Sequence, residues 1–271
     1  MSEFDVQLPS FTRLSDSLFA EAAERAAALP ANTVQVWPGG QTYPSIQQAI
    51  NSITDAGPQL QYQVSVGAGT FNESVVMKDY VYITGAGQDI TIITAPAQMN
   101  IGVGVVNSAS NCGISEVTIN APGGSWGSTP IGIKIMSSGN FHISGVTINS
   151  SDSNIPGNNV RGISNNTGSY SGNVILGQST INATGTNETT AVGIELFGMS
   201  GFNIFVNLST IQVNCPSSFG VSLAAGANAT LDSSKIIATT WALYNSDGSS
   251  PITANQCSIS GPVSSGVVVN N

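Results

Sequence analysis

The chain has 271 residues, a formal net charge of −9 and only 8% charged residues. Six Lys+Arg against 15 Asp+Glu leave no basic footprint, which excludes recognition of a nucleic-acid backbone and disfavours anionic membranes. Hydrophobic residues at 41% are enough for a core, while no run of about 18 apolar residues predicts a membrane span.

Three cysteines (Cys112, Cys215, Cys257) and one histidine (His142) have no metal-ligand spacing, so neither a metal site nor a cofactor is expected. Cys112 and Cys257 fall in apolar columns of the repeat described below and read as small core residues. The N-terminus lacks the basic and apolar regions of a secretory signal. The low charge and the abundance of Ser, Thr and Asn nevertheless suit an extracellular, virion or cell-surface location.

In chain order, residues 1–40 read as an N-terminal docking segment and residues 41–271 as one domain. Ser15 or Asp16 can cap a helix through Leu18, Phe19, Ala22, Ala23, Ala26, Ala27 and Leu29, with Pro30 beyond its end. Trp37–Gly40 reads as a linker. A second helix starts at Ser45-Ile-Gln-Gln48, with Ile46, Ala49, Ile50 and Ile53 as its apolar stripe. From Gln61 the period changes to two, with short strands at Val64–Val66, Val75–Val76, Val81–Ile83 and Thr91–Ile93.

A nine-residue phrase then recurs, close to Asn-x-x-Ile-x-x-Val-Thr-Ile. It occupies Asn111–Ile119, Asn140–Ile148, Asn173–Ile181, Asn203–Ile211 and Asn228–Ile236, with a worn copy at Pro251–Ile259. Repeats of 20–50 residues built from short strands are the mark of a solenoid. A glycine or alanine followed by an aliphatic residue marks another strand of each rung, at Gly102, Gly132, Gly162, Gly193, Gly220, Ala242 and Gly266. Successive rungs pair at ~4.8 Å, so the predicted fold is an all-β, right-handed parallel β-helix with an N-terminal capping helix and an additional helical segment before it.

Alternation assigns the columns. Four point inward, led by Ile119, Ile114, Val117 and Cys112; the third changes from Val117 and Val146 to Ser179, Ser209, Ser234 and Cys257. Thr118, Thr147, Thr180 and Thr210 should form an outer ladder. The lead asparagines should turn the chain through left-handed backbone and hydrogen-bond from rung to rung. Sequons at Asn72, Asn165, Asn182, Asn187, Asn207 and Asn228 read as products of the high asparagine content.

Residues 43–93 resemble the opening of pectin methylesterases and the wider pectin lyase-like superfamily. The resemblance rests on Tyr43-Pro-Ser-Ile-Gln-Gln-Ala-Ile50, Val64-Ser-Val-Gly-Ala-Gly-Thr-Phe-Asn-Glu-Ser-Val75 and Tyr82-Ile-Thr-Gly-Ala-Gly-Gln-Asp-Ile-Thr-Ile-Ile93. It implies a helix capping the first rung of a right-handed β-helix. The family's Gln-Asp-Thr and Asp-Phe-Ile-Phe-Gly motifs are missing; Gln88-Asp89 is similar to the first but lies in the capping rung. Arg161 is the only arginine after position 25.

A glycosidase needs two carboxylates about 5–10 Å apart. Glu195 and Lys134 share an outward column, two rungs and roughly 9–10 Å apart, with Ser164 between them and Arg161 opening the middle strand. Asp152 can join only from a loop. These four are the candidate catalytic residues, with one secure carboxylate among them, so the sequence leans away from an enzyme. Trp126 and Tyr170 are candidates for stacking on sugar rings, on a face where the loops 121–130, 150–160 and 183–191 emerge. Ile175, Phe205 and Leu208 form an outward apolar patch beside His142. That patch, Leu18 and Phe19 of the first helix, and Val267 and Val269 of a last rung without a cap make a candidate assembly surface. The favoured expectation is a non-catalytic structural protein that self-associates as a filament, fibre, tail or surface layer. The alternative is a polysaccharide-binding or polysaccharide-active β-helix.

Overall fold

The computed structural model describes residues 32–270, apart from 41, 97–101, 124–128, 153–158, 166–169, 187–188 and 198–200. The helix expected at 15–29, Trp126 and the Asn187 sequon lie outside the described residues.

Ser45 caps the helix Ile46–Ser52, its hydroxyl accepting the Gln48 N–H at 3.1 Å. Two more N–H groups, of Ile46 and Gln47, donate to the two carboxylate oxygens of Glu73 at 2.8 and 2.9 Å. This distant acid satisfies two of the N–H groups that every helix start leaves without an intrahelical partner. Ile46, Ala49, Ile50 and Ile53 are buried, closing the end of the core. Thr33–Val36 pairs in parallel with Tyr62–Val66, so rung pairing begins inside the stretch assigned to the N-terminal segment.

Every ladder between named strands is parallel, and the pairing follows the phrase. Asn140–Ser144 lies on Asn173–Gly177, which lies on Asn203–Asn207, which lies on Asn228–Asp232. The result is a right-handed parallel β-helix with one sheet of sixteen strands and one of seven. The sixteen-stranded sheet carries two faces, one from each half of the phrase. The seven-stranded sheet holds Val75–Val76, Val106–Asn107, Ile131–Lys134, Asn159–Ser164, Thr190–Phe197, Ser217–Ala224 and Trp241–Asn245.

The inward columns are as the alternation requires: Ile119, Ile148, Ile181, Ile211 and Ile236 are all at 0% exposure. The glycines of the seven-stranded sheet explain themselves here. A Cβ added to Gly132, Gly162, Gly193 or Gly220 would fall 2.2, 2.3, 2.4 or 2.5 Å from the Cγ2 of Ile148, Ile181, Ile211 or Ile236. The same added atoms would lie 2.5–2.8 Å from the carbonyl oxygen of the next rung. Glycine marks this strand because the wall of isoleucines leaves no room for a side chain.

The turn inside the phrase differs from the expectation. Among the lead asparagines only Asn111 has positive φ, at 51°. The left-handed residue is the sixth of every phrase: Glu116, Gly145, Gln178, Leu208, Ser233 and Gln256, with φ of 54, 61, 50, 49, 47 and 51°. A single residue there folds one strand into the next. The buried serines that follow satisfy this corner. Ser179 Oγ accepts the Val146 N–H, Ser209 Oγ the Ser179 N–H, and Ser234 Oγ the Ser209 N–H, at 3.1–3.2 Å. Each hydroxyl donates to the carbonyl two residues earlier in its own strand, at 2.8 Å.

The asparagines do hydrogen-bond from rung to rung. Asn173 donates to Asn140, Asn203 to Asn173 and Asn228 to Asn203, at 2.9, 3.1 and 2.9 Å. A second ladder runs from Asn182 to Asn149 to Asn120. The outer threonine column is partly covered: Thr118 is buried and accepts the Asp89 N–H, while Thr147 donates to Gln88. The Gln88-Asp89 pair thus works as a lid on the threonine ladder.

Two members of the glycine–aliphatic series fall elsewhere. The strand near Gly102 is Val106–Asn107, and Val267–Asn270 pairs with Ile252–Asn255 in the larger sheet. The shortness of the last connections lets the chain return to the phrase face directly after the Leu243–Val263 bridge.

Candidate functional site

The two faces of the larger sheet meet at a one-residue corner, which leaves no room for a groove between them. The seven-stranded sheet is different. The chain reaches it through 123–130, 152–158 and 185–189, and leaves it through 135–138, 165–171 and 198–201. Connections of several residues separate its strands from the larger sheet in the middle rungs, so its outer face is the place where function can be grafted on the repeat.

Two outward columns occupy that face. Ile131, Arg161, Val192, Phe219 and Trp241 are in register, as are Lys134, Ser164, Glu195, Ser222 and Tyr244. Arg161 Nε donates to Glu195 Oε2 in an ion pair whose side chains are only 12% and 11% exposed. Ser164 Oγ donates to the same oxygen at 3.2 Å. The expected sharing of a column by Lys134, Ser164 and Glu195 holds, but Lys134 does not join the pair. Its ammonium donates to the Gly102 carbonyl instead.

Asp152 stays apart too. Its backbone N–H donates to the Thr184 carbonyl, and both carboxylate oxygens are buried with no hydrogen-bond partner among the described residues. Among those residues no three His, Cys, Asp or Glu side chains gather to hold a metal ion. What remains is one carboxylate clamped by one guanidinium, with a hydroxyl beside it.

Tyr170 is part-buried and packs against the core. The aromatic groups of the groove face are others. Phe219 and Tyr244 have ring centroids 5.2 Å apart, and Trp241 and Tyr244 5.5 Å. Phe197, 39% exposed, ends the preceding strand on the same side. Phe219, Trp241 and Tyr244 thus form an aromatic strip on two successive rungs, with Phe197 one rung back on the same face, in register with Ala224. Sequence reasoning missed it because its members are scattered between loops and only the register Phe219↔Trp241 and Ser222↔Tyr244 unites them. The signal available was the offset of each aromatic from its glycine: Phe219 precedes Gly220, and Trp241 precedes Ala242.

On the larger sheet, His142, Ile175 and Phe205 are in register, as expected. Ile175 is part-buried; Phe205 is 43% and Leu208 57% exposed. Val267 and Val269 stand on the inward positions of Ile252 and Ala254, and Val269 is 39% exposed. Cys112 is buried, and burial pushes its thiol up to about 12. Cys215 is buried, and Cys257, part-buried, is also raised by burial.

The chain has a right-handed parallel β-helix fold, shared with solved pectin methylesterases. It is similar in structure to a pectin methylesterase from carrot, with a TM-score of 0.54 at 11% identity over 87% of this chain and 85% of that one. A pectin methylesterase in complex with a hexasaccharide gives 0.50 at 10% identity, covering 89% of this chain and 94% of that one. No family model matches the sequence. No curated protein matches it either.

Proposed function

We propose that this protein binds polysaccharide along the outer face of the seven-stranded sheet, without cleaving it. The observation that carries this reading is the aromatic strip of Phe219, Trp241 and Tyr244 on the outer face of this sheet, with Phe197 exposed on the preceding rung. Aromatic rings offer flat apolar surface to the C–H faces of sugars, and their polar tips supply hydrogen bonds. Successive rungs place new rings about every 4.8 Å along the axis, a spacing suited to an extended chain. Binding rather than catalysis follows from the chemistry of the one clustered acid: Glu195 is occupied by Arg161 and Ser164, and no second carboxylate faces it among the described residues. Similar folds in pectin methylesterases support the β-helix as a scaffold for such a face and say nothing of this ligand.

Electrophoresis through gels containing soluble polysaccharides tests the reading. At least one polysaccharide should retard the protein, and Phe197→Ala and Trp241→Ala should each restore mobility by weakening binding about tenfold, with circular dichroism unchanged. Parallel esterase, lyase and hydrolase assays should detect no turnover. Turnover abolished by Glu195→Gln, or retention unaffected by either aromatic substitution, would refute it.

A second reading, self-association, has its own observation. Phe205 and Leu208 are exposed in line with Ile175, and Val268 and Val269 are exposed on the last described strand. An apolar line along a solenoid suits side-by-side packing of copies into a fibre or layer, with residues 1–40 as coupling segment. Sedimentation should then show concentration-dependent assembly that Phe205→Ser abolishes; a monomer at all concentrations excludes it.

A further inference from the structure

The charges around the aromatic strip define which polysaccharide it takes. Among the described residues, only two cations stand on the outward columns of the seven-stranded sheet, Arg161 and Lys134. Arg161 is neutralised by Glu195. Lys134 is three rungs from the strand of Phe219, the nearest ring of the strip, about 14 Å at the spacing of paired strands, and four from Tyr244. That distance exceeds the screening length of about 8–10 Å at physiological salt.

The other end of the strip is anionic. Asp247 follows Trp241–Asn245 directly, and its carboxylate accepts N–H groups from Ala225 and Ser249 at 2.5 and 3.0 Å. These hydrogen bonds, that from Ser249 foremost, hold the Asp247 carboxyl below the usual carboxylate range. Recognition of a polyuronate, with a carboxylate on every residue, needs guanidinium or ammonium groups repeated along the groove. The strip has none free, and the chain as a whole carries −9.

We infer that the strip takes an uncharged polysaccharide and discriminates against polyuronates. This rests on the binding function proposed above and adds the ligand class. The face reads an apolar surface through stacking and offers the hydroxyls of Ser222 and Tyr244 for hydrogen bonds. Nothing on it compensates a bound carboxylate, while Asp247 and the net charge repel one.

Calorimetric titration in low-salt buffer tests it, with hexasaccharides of β-1,4-linked glucose, xylose and mannose against hexagalacturonate. At least one neutral hexamer should bind ten times tighter or more than hexagalacturonate. Asp247→Asn should raise hexagalacturonate affinity severalfold and leave the neutral ligand unchanged. Hexagalacturonate binding as tightly as any neutral hexamer, and lost in Trp241→Ala, would overturn the ligand class and leave the binding face standing. Absence of binding by all four, or binding indifferent to Trp241→Ala, would overturn both.

Discussion

Breaking the Arg161–Glu195 pair one partner at a time tests whether it is a structural clamp or a reactive acid. Both side chains are nearly nine-tenths buried, and among the described residues the Ser164 hydroxyl gives Glu195 its further support. Arg161→Met leaves a buried carboxylate without its counter-charge, which costs about 3–5 kcal/mol. Glu195→Gln leaves a buried guanidinium and costs a similar amount, less whatever hydrogen bond the amide recovers. The double variant Arg161→Met/Glu195→Leu should cost less than the sum of the singles by at least about 1 kcal/mol, because it removes both desolvated charges. Solenoids open locally, so a single global unfolding free energy is a poor readout. Hydrogen exchange of the Asn159–Ser164 and Thr190–Phe197 amides is better: about 3 kcal/mol of local destabilisation accelerates exchange there more than a hundredfold. If either single substitution changes it by less than tenfold, the pair is solvated and loosely held. Glu195 would then be available for chemistry, and the case against catalysis would fall.

Three further outcomes are expected. Gly193→Ala should destabilise its rung by more than about 3 kcal/mol, since the new methyl meets Ile211 Cγ2 at 2.4 Å and the Gly220 carbonyl at 2.6 Å; hydrogen exchange of the Thr190–Phe197 and Ser217–Ala224 amides checks it, and an acceleration of less than about tenfold would mean the wall can yield. Leu208→Asn should stabilise by roughly 0.5–1 kcal/mol, because leucine is strained at φ 49° and its side chain is 57% exposed, with little packing to lose. Cys112 keeps its proton in the folded state to about pH 12, whereas the unfolded thiol ionises near 9. Its contribution is therefore complete below pH 9 and declines by about 1.4 kcal/mol per unit between 9 and 12, so Cys112→Ala should flatten that limb of the stability profile.

The β-helix was legible because its signal is periodic and apolar: each inward isoleucine recurs at the same place in the phrase, and a slip by one residue would expose the whole column. The Arg161, Ser164 and Glu195 alignment was legible for the same reason, since the glycine beside the isoleucine wall fixes the register of those strands. The corner was not. Six different positions adopt left-handed backbone, but their residues include Glu, Gln, Leu and Ser, so no residue type announces it. Asparagine, the usual sign of such backbone, was spent on ladders instead. The aromatic strip was hidden because its rings come from two rungs and only the three-dimensional register brings them together. Glu73 escaped for a similar reason: it serves a helix more than twenty residues before it.

The asparagine ladder has a direction. Each amide gives its hydrogen to the rung before it and offers its oxygen to the rung after it, from Asn228 back to Asn140. Pro251 takes the place of the next lead asparagine, and the order passes to a neighbouring column, where Asn270 donates to Asn255 and Asn255 to Asp232. The rod therefore has a grain, like a bar of aligned dipoles. Each rung of the ladder thus meets its predecessor with an N–H and its successor with a carbonyl oxygen, so a rung inserted in the reverse sense would set donor against donor on one side and acceptor against acceptor on the other.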